Sequence, residues 1–166
     1  MRKKKTKAYI GGTFDLMHYG HIELFRKAKE VADIVVVSLN TDEFNEEYKG
    51  RKPILTLAER MRVVSSCKYV DIVDVNIGGQ DSKPSILKHM PDYILHGDDW
   101  VRGDLFLKQL QVNKAFLKKH GIKVVYVPLI EGISSTEIRR RTKAQKEKDK
   151  AQRYKGKTKT ATKKSQ

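Results

Sequence analysis

Cysteine and long apolar runs are nearly absent from this sequence. Cys67 is the single cysteine among 166 residues, which excludes an internal disulfide and leaves no cysteine pair spaced for a metal ion. No apolar run approaches the roughly 20 residues of a membrane-spanning helix. The basic residues at the start are followed by glycine and aspartate rather than by the apolar core of a signal peptide. We therefore expect a cytoplasmic protein.

Acidic side chains are scarce only at the two ends of the chain. The net charge is +15, but residues 139–166 hold 13 Lys or Arg against two acids, and residues 1–7 hold five basic residues and no acid. Residues 8–138 carry 17 basic and 18 acidic side chains. Because the body is nearly neutral, the overall basicity does not by itself indicate a nucleic-acid-binding protein.

The C-terminal segment, residues 142–166, is poor in apolar side chains, and Tyr154 is its only aromatic residue. Such a segment cannot bury enough surface to fold alone. We expect it to be disordered, or at most to extend a preceding helix, and we expect residues 1–141 to form one folded domain.

Strand-type and helix-type patterns alternate along the rest of the chain. Five runs rich in Val, Ile and Tyr are typical of buried strands, and they begin at or near Ala8, Asp33, Val70, Tyr93 and Ile122. Helical patterns follow Gly12, Pro84 and Asp104, the last of them reaching His120, and capping boxes open two further helices at Thr56 and Ser134. This alternation predicts an α/β fold with a five-stranded parallel sheet and helices on both faces. Ligands of such sheets bind at the carboxyl ends of the strands.

The first strand is followed by Gly-Gly-Thr-Phe-Asp-Leu-Met-His-Tyr-Gly-His at residues 11–21. Glycines at a strand-to-helix turn let a phosphate approach the backbone, and a helix N-terminus favours anions. His18 and His21 flank Gly20, which keeps the space between them open, and cationic imidazoles there would stabilise phosphate oxygens as charge develops. We interpret both histidines as catalytic. The alternative, a metal site of Asp15, His18 and His21, is permitted by the spacing, but imidazoles that face phosphate explain the motif without a metal.

A second polar motif, Glu-Gly-Ile-Ser-Ser-Thr-Glu-Ile-Arg at residues 131–139, combines a loop, three hydroxyls and a helix start. Backbone N–H groups, hydroxyls and the Arg139 guanidinium converging there would hold a polyphosphate. Taken alone, the Ser-Ser-Thr run is equally typical of a helix cap.

With these motifs the chain resembles the cytidylyltransferase family within the wider nucleotidyltransferases that carry a His-x-Gly-His motif. The resemblance spans about residues 8–141 and includes the runs at 40–45, 69–71 and 97–100. It implies a Rossmann-like fold and transfer of CMP from CTP, with Mg²⁺, to a small phosphate ester. It also implies release of pyrophosphate and a homodimer. Glycerol 3-phosphate is the acceptor it favours, ahead of phosphoethanolamine, phosphocholine or a sugar phosphate.

The resemblance also assigns roles to residues. It implies that the nucleotide is bound by Gly12, Thr13, Phe14, Asp15, Gly20, Arg51, Lys52, Gly97, Asp98, Asp99, Trp100, Glu131, Gly132, Ile133, Ser134, Ser135, Thr136 and Arg139. It implies that the acceptor phosphate is bound by Lys49, Arg60, Lys68 and Lys83, with residues 49–52 acting as a basic lid loop. Each of these basic side chains also fits a solvated surface.

The chain departs from the family pattern at Leu129, where members usually carry an arginine that neutralises phosphate. Either Arg139, Arg140 or another basic residue substitutes, or the phosphate contacts differ. Two other functions stay open at this point. One is adenylyl transfer by the same fold, and the other is a nucleic-acid-binding module that acts through the basic tail, for which weak, non-specific polyanion binding is expected.

Overall fold

The structure is a computed structural model and describes residues 4–98, 105–128 and 130–162. The strands in these ranges are β1 Lys7–Gly12, β2 Ile34–Leu39, β3 Ile72–Val75, β4 Tyr93–Gly97 and β5 Lys123–Val127. The helices are α1 Tyr19–Val31, α2 Asp42–Lys49, α3 Leu57–Ser65, α4 Lys83–His89, α5 Leu105–Gln109, α6 Lys114–His120 and α7 Ser135–Thr162. Residues up to Glu131 form one compact unit and residues from Gly132 onward form another. Of the described helices, none is both long enough and apolar enough to cross a membrane.

The five strands form one parallel sheet in the order β3-β2-β1-β4-β5. The chain builds outward from β1 through β2 to β3, then crosses to the other side of β1 and adds β4 and β5. The order therefore reverses between β1 and β4, which is where open parallel sheets bind their ligands. The predicted α/β class, strand number and parallel sense are confirmed.

Two apolar layers cover the sheet, one on each face. On one face α1 and α3 pack through Phe25, Ala28 and Val64, while the strands contribute alternate residues such as Ile10 and Val37. On the other face α4, α5 and α6 pack through residues that include Ile86, Leu107 and Leu117, against Tyr9 and Ile94 of the sheet. Neighbouring strand residues face opposite layers because side chains alternate along a strand.

The helix expected from Asp104 to His120 is two helices, which corrects the sequence interpretation. α5 ends at Gln109, and Gln111 adopts a positive φ of 54° that ends the helical path. Asn113 then opens α6, because its side-chain oxygen accepts a hydrogen bond from the backbone N–H of Phe116 at 2.8 Å. An asparagine inside a long helical pattern is a typical signal for such a new start.

The helix α2 was not expected, and residues 49–52 were interpreted as a loop. Thr41 caps α2 by accepting a hydrogen bond from the N–H of Phe44, and Asp42 and Glu43 follow in the first turn. Gly50 ends the helix with a positive φ of 65°. These are ordinary start and stop signals, and the short length of the segment obscured them. Lys49 is accordingly the last residue of a helix.

In the second unit, α7 begins after Ser134 and continues through Thr162. The Oγ of Ser134 accepts a hydrogen bond from the N–H of Glu137 at 3.0 Å, so the predicted cap is present. The carboxylate of Glu137 bonds with Arg140 and Arg141 rather than with the cap. Residues 142–162 of the basic tail lie within α7, and residues 163–166 lie outside the described ranges.

Candidate active site

The motif that follows β1 lies at the point where the strand order reverses. β1 ends at Gly12 and its neighbour β4 ends at Gly97, with Tyr9 paired to Ile94 in the register between them. Parallel strands direct their carboxyl ends to one edge, so Thr13 and the exposed Asp98 leave the sheet side by side. Asp99 and Trp100, which were predicted to lie beside the base, fall outside the described residues.

The turn between β1 and α1 has an unusual backbone that is held by the ring of Phe14. Phe14 and Leu16 adopt positive φ values of 51° and 49°, a region that residues with a side chain rarely occupy. The Phe14 ring is buried between Phe25 and the edge of the His21 imidazole, with ring centroids 5.2 and 5.3 Å away. A Cβ on Gly12 would lie 2.9 Å from this ring. Gly12 is therefore needed for the packing of Phe14, and Phe14 in turn supports His21.

The structure brings the two motif histidines together at the start of α1. Their rings stack at 3.8 Å between centroids with 23° between the planes. The backbone N–H of His18 donates to Nδ1 of His21 across 3.4 Å, which leaves the proton of a neutral His21 on Nε2. The Nδ1 atom of His18 is buried and has no hydrogen-bond partner among the described residues. A buried unpaired polar atom costs free energy and is typical of a site completed by a ligand.

Both imidazoles are neutral near pH 7, which corrects the expectation of cationic side chains. Burial lowers the pKa of His18, and burial together with the neighbouring His18 lowers the pKa of His21 to about 3. Two stacked rings cannot both carry a charge without strong repulsion. Neutral imidazoles still donate hydrogen bonds through an N–H group, so the arrangement suits stabilisation of an anion without a prior proton uptake.

Asp15 ties the motif turn to the segment before α3. Its carboxylate is 4% exposed and accepts hydrogen bonds from the backbone N–H groups of Ile54 and Leu55 at 3.0 and 3.1 Å. The carboxylate thus positions the loop beside the turn, a role that the nucleotide-binding prediction for Asp15 did not include. Within the described ranges, no three His, Cys, Asp or Glu side chains form a group suited to a metal ion.

Arg60 is a buried clamp, and this contradicts its predicted role in binding the substrate. Its side chain is 0% exposed. The guanidinium donates to three carbonyl oxygens and one carboxylate oxygen: Thr13 O at 2.6 Å, Asn40 O at 2.9 Å, Leu55 O at 3.1 Å and Asp42 Oδ1 at 2.6 Å. These partners belong to the motif turn, the end of β2, the loop before α3 and the start of α2. Arg60 therefore holds four segments in register and is not accessible to a phosphate ester.

The side chain of Thr13 links the motif turn to α2. Its hydroxyl donates to Oδ1 of Asn45 and accepts from Nζ of Lys49 at 3.0 Å. Asn45 is 2% exposed, and its amide also donates to the carbonyl of Thr41 at 2.7 Å. Thr13 and Lys49, which were predicted separately to bind the nucleotide and the acceptor phosphate, are thus in contact. The positioning role of Asn45 was missed, because the charged residues around it in α2 are typical of an exposed helix.

The remaining predicted basic residues differ in where they lie. Arg51 and Lys52 are exposed, and Lys52 forms an ion pair with Glu46 at 3.4 Å. Lys83, at the start of α4, pairs with Asp81 at 2.9 Å and donates to the carbonyl of Gln111 at 2.7 Å.

Lys68 lies at the opposite end of the sheet from the motif turn. It precedes β3 and stands over the ring of Tyr69, with 5.0 Å from Nζ to the ring centroid. The nearby Asp71 donates its N–H to the carbonyl of Val35, at the amino end of β2. Because Thr13 follows the carboxyl end of β1, this chain does not bring its own Lys68 to the motif turn.

The second unit presents its own set of phosphate-binding candidates at the start of α7. Gly132 has a positive φ of 79°, and its carbonyl accepts a hydrogen bond from Arg141 at 2.9 Å. Ser134 and Thr136 are exposed, whereas Ile133, Ser135 and Arg139 are partly buried. Arg140, offered as a substitute for the missing family arginine, is engaged with Glu137. Leu129 itself lies outside the described residues.

Comparison with known families decides what kind of enzyme these features belong to. A sequence model described as cytidylyltransferase-like matches residues 9–141, which include the motif turn, the sheet and the start of α7. The chain belongs to the cytidylyltransferase-like family. It is a nucleotidyltransferase.

The curated relatives of this cytidylyltransferase-like protein agree with the assignment. It is 38% identical to glycerol-3-phosphate cytidylyltransferase of Bacillus subtilis (strain 168) over 136 residues, which cover 82% of this chain and 95% of the relative. An ethanolamine-phosphate cytidylyltransferase of Dictyostelium discoideum is 34% identical, over 82% of this chain and 36% of the relative. A FAD synthase of Thermococcus sibiricus (strain DSM 12597 / MM 739) is 39% identical, over 75% of this chain and 84% of the relative.

Solved structures support the same Rossmann-like fold. The lipopolysaccharide core biosynthesis protein from Thermoplasma volcanium GSS1 superimposes with a TM-score of 0.61 at 26% identity, covering 76% of this chain and 98% of that one. Pantoate-beta-alanine ligase from Francisella tularensis gives a TM-score of 0.54 at 18% identity, over 84% of this chain and 69% of the other, and that likeness concerns the fold alone.

Proposed function

We propose that the protein transfers CMP from CTP to glycerol 3-phosphate and releases pyrophosphate. The observation that carries this proposal is the stacked pair His18 and His21, with its unpaired buried Nδ1 atom, at the strand-order reversal of a cytidylyltransferase-like fold. The acceptor is inferred from the relatives, among which glycerol-3-phosphate cytidylyltransferases align over most of their own length.

The proposed reaction is an in-line displacement at the α-phosphorus of CTP. An oxygen of the acceptor phosphate, already anionic at pH 7, forms the new P–O bond while the bond to pyrophosphate breaks. The acceptor needs no general base, and positioning and electrostatic stabilisation account for the rate. His18 and His21 donate N–H groups to the α-phosphate oxygens and stabilise negative charge as it is redistributed in the transition state.

The other predicted contacts stay part of the proposal. Thr13 and Lys49, which touch each other, bind phosphate oxygens beside the histidines. Gly132, Ile133, Ser134, Ser135, Thr136 and Arg139 supply backbone N–H groups, hydroxyls and a guanidinium for the outer phosphates. Gly97 and Asp98 lie near the nucleotide at the end of β4.

Mg²⁺ is proposed to enter with CTP. Mg²⁺ prefers oxygen ligands and keeps several waters, and the exposed carboxylate of Asp98 at the carboxyl edge of the sheet is a donor of the right chemistry. When bound, the ion neutralises phosphate charge. Omitting Mg²⁺ from the assay is expected to abolish pyrophosphate release.

The decisive experiment is a matrix of nucleotides and acceptors. Purified protein is incubated with CTP or ATP, Mg²⁺ and one of glycerol 3-phosphate, phosphoethanolamine, phosphocholine, a sugar phosphate or FMN, and pyrophosphate is measured. We expect release with CTP and glycerol 3-phosphate. Release with ATP and FMN alone would favour the second candidate, adenylyl transfer, which the FAD synthase relative supports. Release with CTP and a different phosphate ester would support CMP transfer and would identify that ester, rather than glycerol 3-phosphate, as the acceptor.

Three coarser proposals accompany this function. A homodimer is inferred from the family resemblance and is tested by analytical ultracentrifugation. A cytoplasmic location is inferred from the lone Cys67 and the use of nucleoside triphosphates, and is tested by cell fractionation. Weak binding of polyanions is inferred from the exposed basic side chains of α7 and is developed below.

A further inference from the structure

The helix α7 arranges part of its charge in a row. Arg139, Lys143, Lys146 and Lys150 follow one another at intervals of four, three and four residues within α7, and we call these four residues the basic row. At 3.6 residues per turn they fall within about 60° of arc on one face. The side chains of the three lysines are exposed. In the sequence, the same four-three-four spacing continues at Arg153 and Lys157.

Two acidic residues flank the basic row: Glu147 lies four residues after Lys143 and three before Lys150, and Asp149 lies three residues after Lys146. Glu147 and Asp149 fall roughly 80° from Arg139, one on each side, at about 100° per residue. Asp149 accepts a hydrogen bond from the amide of Gln145 at 2.9 Å, and Glu137 is engaged with Arg140 and Arg141. The row therefore concentrates positive charge on one face.

Neighbouring members of the row repel one another, and the flanking acidic residues offset part of this repulsion. Like charges at i,i+3 and i,i+4 destabilise a helix, and the effect is largest at low salt. A linear anion lying along the row would replace this repulsion with attraction. The repeat of the charges is about 5.5 Å along the axis, from a rise of about 1.5 Å per residue, which suits a partner with regularly repeated phosphates.

The composition of α7 argues against a lipid surface as that partner. A helix that lies in a membrane interface needs a continuous apolar face. The first sixteen residues of α7 contain Ile138 and Ala144 as their apolar residues, and every described side chain from Arg140 to Lys150 is exposed. The same lack of an apolar stripe argues against a coiled-coil partner.

We propose that the basic row of α7 binds the phosphate backbone of nucleic acid without reading its sequence. This proposal deepens the polyanion binding suggested above and does not depend on cytidylyl transfer. It commits to one face of the helix, whereas a diffuse positive tail would bind equally through every face. That distinction makes the proposal testable with variants of equal charge.

The test compares two full-length variants that each lose three positive charges. The first, K143Q/K146Q/K150Q, removes the lysines of the row, and the second, K148Q/K155Q/K159Q, removes lysines at other helical positions. Glutamine keeps a helix propensity close to that of lysine. Binding to a fluorescein-labelled 20-base-pair duplex of mixed sequence is measured by anisotropy between 50 and 200 mM KCl.

We expect the row variant to lose at least about tenfold in affinity at 50 mM KCl and the slope of log K against log salt to fall by about 2.7. The matched variant should change affinity by less than about threefold. A K143R/K146R/K150R variant keeps the charges and should restore binding. Circular dichroism on each variant checks that the helix content is unchanged.

Equal losses in the two glutamine variants would overturn the proposal, because net charge alone would then explain binding. Absence of duplex binding by the unmodified protein at 50 mM KCl would also overturn it, as would binding to anionic phospholipid vesicles in preference to the duplex. Pyrophosphate release is measured on the same samples. If the unmodified protein released no pyrophosphate, the proposed transfer reaction would be contradicted, and the result on duplex binding would still stand.

Discussion

The two units of this protein use polar side chains in opposite ways. In the first unit, polar groups around the motif turn are buried and tied: Arg60 is 0% exposed and Asn45 is 2% exposed, each with several partners. In the second unit, the side chains from Arg140 to Lys150 are all exposed. The first arrangement obtains its effect from position and the second from charge. The effect of a substitution in the first unit should therefore depend on the geometry of the contacts it removes. The effect of one in the second unit should depend on ionic strength.

The largest effect is expected from removal of a motif imidazole. His18→Ala or His21→Ala should lower kcat by about 100- to 1,000-fold, because an N–H donor to the developing charge is lost. The KM for CTP should change by less than about threefold. Steady-state kinetics with CTP and the acceptor found in the screen measures both values.

Tyr19 provides the matched control, since it lies between the two histidines in the sequence and is 52% exposed. Tyr19→Ala should leave kcat within about threefold of the unmodified protein. If the histidine variants raised KM and lowered kcat to the same extent, their role would be ground-state binding rather than stabilisation of the transition state.

The next largest effect is expected on stability, from the clamp. Arg60→Met should lower the free energy of unfolding by about 3–5 kcal/mol, because the Asp42 carboxylate loses its charged partner and three carbonyl oxygens lose a hydrogen bond from the guanidinium. Urea denaturation measures the change. Arg62, exposed on the same helix, is the control, and Arg62→Met should change the value by less than about 0.5 kcal/mol. A loss below 1 kcal/mol for Arg60→Met would show that the clamp is not needed for the fold.

A smaller effect follows from the low pKa of His21, which is about 3 in the folded protein and 6.5 in the unfolded reference. The unfolded chain takes up the proton first, so the stabilisation is complete above pH 6.5 and is lost as pH falls toward 3, by about 1.4 kcal/mol per unit. Between pH 7 and pH 5, the His21→Gln variant should lose about 1–2 kcal/mol less of its free energy of unfolding than the unmodified protein does. Urea denaturation at the two pH values measures the unfolding free energies. If both proteins lost the same free energy of unfolding between pH 7 and pH 5, a neutral, buried His21 would be contradicted.

The smallest effect is expected from removal of the distal part of α7. A chain that ends after Arg141 loses only residues whose described side chains, up to Lys150, are exposed. Cytidylyl transfer should stay within about twofold, while duplex binding should disappear. A large loss of kcat would mean that the exposed helix takes part in the reaction and would remove the contrast between the two units.

Much of the first unit could be predicted from the sequence because its signals are local. The Thr56–Glu59 capping box is formed by reciprocal hydrogen bonds, and the apolar run that contains Val35, Val36 and Val37 is a strand covered on both faces. The role of Arg60 could not be predicted, since arginine is usually exposed and its partners come together only when four segments of the chain converge. The neutral state of His18 and His21 was missed for a related reason, because the pKa depends on burial and on ring stacking that spacing alone does not show.

The backbone at Phe14 and Leu16 has a consequence for engineering of thermostability. Positive φ values at residues with side chains store about 1–3 kcal/mol each, and the ring of Phe14 offsets this cost through its packing. Leu16 is the better target, because asparagine tolerates this conformation more readily than leucine does. Leu16→Asn is therefore a route to a higher melting temperature that leaves the two motif histidines unchanged.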